Sequence, residues 1–120
     1  MAGLVAATGA PVAAVLGEEQ KVTASDGASL DEFGASVAVS GDTVLVGVPG
    51  DDDGKGSAYV YSRAGGTGTE EQKLLASDGA SLDEFGFSVA VSGGTALVGA
   101  PFDDNDNGVG AGSAYLYARA

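Results

Sequence analysis

The chain contains a long internal repeat, which constrains its fold more than any other feature of the sequence. Residues 18–49 and residues 70–101 each span 32 positions and are identical at 26 of them. The offset between the copies is 52 residues here and rises to 56 at a later pair of similar segments, GSAYVY from Gly56 and GSAYLY from Gly112. Four additional loop residues in the second copy account for the difference. Such a repeat predicts one supersecondary unit built twice.

Each copy predicts four short β-strands and no helix. In the blade that begins in the first copy, residues 33–40 and 57–61 alternate between two faces and residues 43–48 are apolar on both faces. Residues 70–76, at the start of the second copy, are the most polar and would be its outer strand. Gly41-Asp42 has the composition of a two-residue hairpin turn. Strands of this length, separated by turn residues, indicate an all-β fold. A unit of about 50 residues with four antiparallel strands is typical of a propeller blade.

Two short signatures recur at a fixed spacing within the repeat. Phe85-Gly86 is followed by Gly99-Ala100-Pro101, and Phe33-Gly34 is followed by Gly47-Val48-Pro49. On these residues the chain resembles the FG-GAP repeat proteins, whose blades form the propeller of integrin α-chains. The calcium loop that many of these repeats carry between the two signatures is replaced here by tight turns, so that site is not carried over.

The resemblance implies two four-stranded antiparallel propeller blades, assigned to residues 18–69 and 70–120. It also implies a strand order within each blade: the FG strand, the GAP strand, the tyrosine-containing strand and an outer strand. By analogy with other FG-GAP surface proteins, the expected function is a non-catalytic extracellular scaffold for binding or adhesion. Its ligand would be a protein or a glycan.

Composition argues against several other classes of function. The chain has no His, no Cys and no Trp. Disulfides are therefore impossible, and the His-based acid–base chemistry of most hydrolases cannot operate. His and Cys are the usual protein ligands of zinc, copper and haem iron, so sites for these groups are not expected. The net charge of −12 repels the phosphate backbone of nucleic acids. We therefore expect neither an enzyme nor a nucleic-acid-binding protein.

Acidic side chains outnumber basic ones by 17 to 5. The excess either keeps the surface solvated, as in proteins from salty environments, or binds cations such as Ca²⁺, which prefer oxygen ligands. The candidate calcium ligands are Asp51, Asp53, Asp103, Asn105 and Asn107. The last three match the D-x-N-x-N-G opening of a calcium loop, but Ala114 stands where the closing acid would be. A calcium-dependent structural module and a solvated turn both remain open.

The first seventeen residues carry no charged side chain. They resemble the apolar part of a secretory signal, with Val12-Ala13-Ala14 as a small-residue cleavage site, although the basic start of such a signal is missing. Residues 1–17 are therefore predicted to be a truncated signal segment or a disordered tail, with an extra edge strand as the alternative. They are too short and too rich in Ala and Gly to predict a membrane span. A signal would make the protein extracellular or cell-surface.

Two blades are fewer than a propeller requires, since known propellers contain about four to eight. The second copy has no outer strand of its own, whereas residues 18–24 have the sequence of one. We therefore predict self-association through the blade faces, with about three or four chains closing a ring. The alternative is a fragment of a longer secreted FG-GAP protein or enzyme.

Overall fold

The computed structural model of the chain describes residues 19–64 and 67–119, which form two antiparallel β-sheets. The strands are β1 Ser36–Ser40, β2 Thr43–Val48, β3 Ser57–Ala64, β4 Thr67–Leu74, β5 Ser88–Ser92, β6 Thr95–Ala100 and β7 Ser113–Ala118. One short helical turn, α1 Asp51–Gly54, joins β2 to β3. The all-β prediction is confirmed for this part of the chain. The predictions for residues 1–17 concern residues outside it.

The strand order in both sheets follows the order predicted for a blade. The first sheet runs β1-β2-β3-β4 and the second runs β5-β6-β7. We call them the first blade and the second blade. The hairpin at Gly41-Asp42 pairs Ser40 with Thr43, and the equivalent hairpin pairs Ser92 with Thr95. The first blade has the four predicted strands, and the second has three among the described residues, in line with the expectation that the second copy has no outer strand of its own.

Three predicted strands have different bounds in the structure, of which the strand predicted at 57–61 continues to Ala64. The strand predicted at 33–40 begins at Ser36, because Phe33 and Gly34 lie in a turn in which the Ala35 N–H donates to the Glu32 carbonyl at 3.0 Å. The outer strand predicted at 70–76 is displaced to 67–74. Its register against β3 shifts at a bulge between Val60 and Tyr61. Periodicity alone does not locate such a bulge.

The main hydrophobic core lies between the two blades. Leu45, Ala58 and Leu74 of the first blade pack with the buried residues of the second repeat, which are Phe85, Val98 and Ala100. A polar contact joins the same surfaces, since the Ser36 hydroxyl donates to the Gly86 carbonyl at 2.8 Å. Each blade thus buries its neighbour's apolar face, as stacked repeats require.

A second core lies on the other side of the first blade. Val46, Val48, Tyr59 and Tyr61 pack there against Val22, Ala24 and Phe33. Those three residues are the repeat equivalents of Leu74, Ala76 and Phe85, which cover the second blade in the same way. Residues 19–24 pair with none of the described strands, so the outer strand predicted at 18–24 is not observed within the described residues.

Candidate binding rim

The antiparallel topology places the long connections on one edge of the two-blade unit. The connections that enter β1, join β2 to β3, enter β5 and join β6 to β7 all meet at this edge. We call it the loop rim, made of residues 25–35, 49–56, 75–87 and 101–112. The tight turns Gly41-Asp42 and Gly93-Gly94 lie at the opposite rim. The two rims therefore offer very different surfaces to a partner.

Negative charge is concentrated on the loop rim. Its four segments contain 12 of the 17 acidic residues; the other five are Glu18, Glu19, Asp42, Glu70 and Glu71. The same segments contain one basic residue, Lys55, whose ammonium lies 3.7 Å from Asp52. A surface with one sign of charge attracts partners of the opposite sign and steers their approach.

Two acids of the loop rim are structural rather than solvated. The carboxylates of Asp31 and Asp83 are buried and accept hydrogen bonds at 2.9 Å from the backbone N–H groups of Ala28 and Ala80, respectively. Each carboxylate bonds to the backbone N–H three residues earlier in the chain and so closes a turn, as Asp side chains commonly do. The identical ASDGASLDEFG stretch in both copies was the sequence signal for this role, but its acids alone do not distinguish a buried turn from a solvated one.

These closed loops display a leucine each. Leu30 and Leu82 are exposed and have backbone φ angles of 67° and 69°, in the left-handed region that leucine rarely adopts. The loops flank a groove that also contacts Pro49 and Asp53. Hydrogen bonds fix the groove, since the Leu82 N–H donates to the Asp53 carbonyl at 3.2 Å. The hydrogen-bonded frame thus holds each leucine exposed in a backbone conformation that is costly for it.

The structure divides the candidate calcium ligands between two loops. Asp103, Asn105 and Asn107 share one hydrogen-bonded loop, since Asp103 and Asn105 both contact the Ser113 hydroxyl. Asp51 contacts Lys73 at 2.9 Å, Asp103 accepts the Ser113 hydroxyl, and the Asn105 side chain donates to the Gly112 carbonyl at 2.8 Å. The Asn105 side chain also accepts from the Asn107 N–H, and Asp53 is exposed. Within residues 19–64 and 67–119, no group of three acidic side chains is placed to hold a metal ion. The calcium site stays a prediction, which a calcium titration of the melting temperature would test.

Lys73, which the sequence predicts to be an exposed strand charge, organises the first blade's part of the rim. The Lys73 ammonium lies 2.7 Å from Asp26, 2.9 Å from Asp51 and 5.3 Å from the centre of the Tyr59 ring. We call Asp26, Asp51 and Tyr59 the lysine socket. Burial by itself would lower the pKa of Lys73, but hydrogen bonds to the two carboxylates outweigh it and raise the pKa. The same contact with Lys73, followed by that with Tyr59, lowers the pKa of Asp26.

Removing this ammonium should destabilise the fold. Lys73→Gln leaves the buried Asp51 carboxylate without its counter-charge, and we expect the free energy of unfolding to fall by about 1–3 kcal/mol. Lys55→Gln is the matched control, because its ion pair with Asp52 is exposed and should contribute about 0–1 kcal/mol. Urea unfolding of the two variants measures the difference. Equal losses would contradict a role for the socket.

The four tyrosines pack within the blades rather than forming a stacking surface. Phe33 contacts Tyr59 and Tyr61 edge-to-face at 5.7 and 6.3 Å between ring centres. Phe85 contacts Tyr115 and Tyr117 in the same way at 5.3 and 6.4 Å. All four hydroxyls donate to acceptors in the segments that enter β1 and β5; these acceptors are the Asp26 carboxylate, the Thr23 carbonyl, the Asp78 carboxylate and the Leu75 carbonyl.

Because the tyrosines are buried, the stability of the fold should fall at alkaline pH. Burial, followed by the nearby charge of Glu70, raises the pKa of Tyr61 to about 12, and burial also raises the pKa of the other three tyrosines. Above pH 10 the unfolded chain loses phenolic protons that the folded chain retains, so the free energy of unfolding should fall from pH 10 to about 12. We expect tyrosinate absorbance to appear together with the loss of circular dichroism. Full ionisation near pH 10 in folded protein would contradict this.

Comparison with known families decides what kind of repeat this is. The family model described as FG-GAP repeat matches residues 16–61 and 69–117. The chain belongs to the FG-GAP repeat family. Both FG-GAP repeats therefore include the Phe-Gly turn, β1 or β5, and the strands that follow. A search of curated proteins found no match to the chain. In the part that the structure describes, no helix has the length and apolar character needed to cross a membrane.

Proposed function

We propose that this FG-GAP protein is a non-catalytic extracellular scaffold of the adhesion type, which holds a partner on its loop rim. FG-GAP repeats occur in extracellular adhesion-type proteins, and membership of that family is the observation that carries the proposal. The contrast between the two rims supports the choice of surface. Antiparallel blades give a stiff frame, and loops on a stiff frame are where proteins usually place binding residues.

The chemistry of the loop rim favours one class of partner. Its acidic segments would attract a surface rich in Lys and Arg, and would repel sulfated or otherwise anionic glycans. The exposed side chains of Leu30 and Leu82 add apolar contact area beside the charges. We therefore propose a protein partner with basic residues around an apolar patch.

The test is a binding screen with two variants that change charge equally. The chain is immobilised and exposed to a panel of purified extracellular proteins and to a glycan array. Glu32→Gln with Asp52→Asn removes two exposed acids from the loop rim, whereas Asp42→Asn with Glu71→Gln removes two exposed acids elsewhere. We expect the first pair to weaken binding at least tenfold and the second to leave it nearly unchanged. A partner that tolerates the rim variant as well as the control would contradict the proposal.

A further inference from the structure

The outer faces of the two blades lack the neighbouring blade that covers their buried equivalents. Leu45 is 0% exposed beneath the second blade, whereas its repeat equivalent Leu97 is 42% exposed. On the opposite side, Val37 is 66% exposed, whereas its equivalent Val89 is half-buried against the first blade. The front face of the second blade and the back face of the first blade thus have the composition of the two halves of the interface already present within the chain.

The edge strand β7 lacks a partner that its equivalent has. In the first blade β3 pairs with β4, but among residues 19–64 and 67–119 no strand pairs with β7 on its outer side. Leu116 on this strand is 71% exposed. The segment equivalent to β4 is present near the other end of the described chain, since residues 19–22 repeat residues 71–74. Within the described residues, the backbone N–H groups of 19–24 donate to no backbone carbonyl.

The second blade also contains a lysine socket without its lysine. Asp78, Asp103 and Tyr115 are the repeat equivalents of Asp26, Asp51 and Tyr59, and the Tyr115 hydroxyl donates to Asp78 at 2.6 Å. None of the ion pairs among the described residues involves Asp78 or Asp103. The repeat equivalent of Lys73 is Lys21, which is exposed at the opposite end of the unit. An exposed lysine and an acidic socket without a lysine therefore lie at opposite ends of the two-blade unit.

We propose that a second copy of this chain docks on the second blade and supplies both missing parts. Residues 19–24 of that copy pair with β7 as its outer strand, and Lys21 of that copy enters the socket of Asp78 and Asp103. The intrachain register, which pairs Ala58 with Leu74, Tyr59 with Lys73 and Val60 with Gln72, sets the register between copies. It places Ala114 opposite Val22, Tyr115 opposite Lys21 and Leu116 opposite Gln20.

No rearrangement of either copy is required. Val22 and Ala24 already lie on their own first blade as Leu74 and Ala76 lie on the second, so the docked copy repeats an interface that the chain itself contains. The contact joins two different surfaces, which makes it head-to-tail and repeatable. It rests on the repeat geometry and not on the function proposed for the loop rim.

Disulfide trapping tests the register directly, because the natural chain has no cysteine. One chain carries Gln20→Cys and a differently tagged chain carries Leu116→Cys, and the two are mixed in molar salt under mild oxidation. Directly opposed residues in a sheet are close enough to form a disulfide. We expect the covalent heterodimer to exceed both homodimers at least fivefold. The control replaces Leu116→Cys with Ala118→Cys, two positions out of register, and should lose that excess. Equal yields in both mixtures would overturn the proposal.

A charge reversal tests the socket. Lys21→Glu should at least halve the mass-average size of the chain in solution without changing its circular dichroism. Lys55→Glu makes the same change of charge on the loop rim and should leave the size unaltered. A Lys21→Glu chain that associates as strongly as the Lys55→Glu chain would overturn the assignment of Lys21.

Discussion

Replacing Phe85 with alanine is expected to lower the free energy of unfolding by about 3–5 kcal/mol. The Phe85 ring is fully buried between the blades, among Leu45, Leu74 and Val98, and its backbone bridges to Gly56. Truncation removes the ring from both blades at once and leaves a cavity that two hydrogen-bonded sheets cannot close. Chemical unfolding followed by circular dichroism measures the loss.

Phe87→Ala is the control for that experiment. The Phe87 side chain is 53% exposed, so its removal should cost less than about 1 kcal/mol. Phe85 and Phe87 lie two residues apart in the same connection, and both substitutions remove the same side-chain atoms. Equal effects would mean that the blades do not pack on the Phe85 ring.

Replacing Gly86 with alanine should have an effect of similar size for a different reason. An added Cβ would meet the Ser57 carbonyl oxygen at 2.2 Å and the Val48 nitrogen at 2.8 Å, both backbone atoms of the first blade. Gly86 also has a φ angle of 96°, which alanine rarely adopts. Backbone atoms in a sheet cannot move aside as a flexible side chain would. We expect a loss of at least about 3 kcal/mol, or failure to fold.

Gly34→Ala separates the two causes. Gly34 has nearly the same φ angle, 92°, but an added Cβ would have nothing within 4 Å. Gly34→Ala should therefore lower the free energy of unfolding only by the cost of the positive φ angle, about 1–2 kcal/mol. Unfolding is measured on dilute protein, since docking of a second copy would cover Gly34. Equal losses for the two glycines would contradict close packing of the second blade on the first.

The repeat and its binary pattern were sufficient to predict the strands and the hairpins, whereas the strand order was implied by the resemblance to FG-GAP repeats. The strands and hairpins depend on neighbouring residues: alternation in β1, apolar character on both faces of the inner strand β2, and the turn at Gly41-Asp42. The register shift at Val60 and Tyr61 and the late start of β1 depend on contacts between distant segments. The local sequence pattern carries no information on those contacts, so the predicted strand bounds differ from the observed ones.

The loop rim was harder to predict than the strands. All its acids look alike in the sequence, yet Asp31 and Asp83 are buried in turns, Asp51 pairs with Lys73, and Asp52 is exposed to solvent. Lys73 appeared to be an ordinary exposed strand charge, because Asp26 lies 47 residues away in sequence. Sequence separation hides such an ion pair until the fold brings its partners together.

The sequence predicted that two blades would need neighbours, and the docking proposed above assigns them to two surfaces of the structure. One surface of each terminal blade repeats a surface that is buried inside the chain. Apolar faces and edge strands of this kind are usually covered in native proteins. The unequal burial of equivalent residues, such as Leu45 and Leu97, marks the faces that the proposed neighbour would cover.

The most direct test of this account is the mass of the unmodified chain in solution, measured by light scattering in molar salt to screen the net charge of −12. Head-to-tail docking predicts a species whose mass is an integer multiple, greater than one, of 11.6 kDa. A mass of 11.6 kDa that persists at high protein concentration would contradict it.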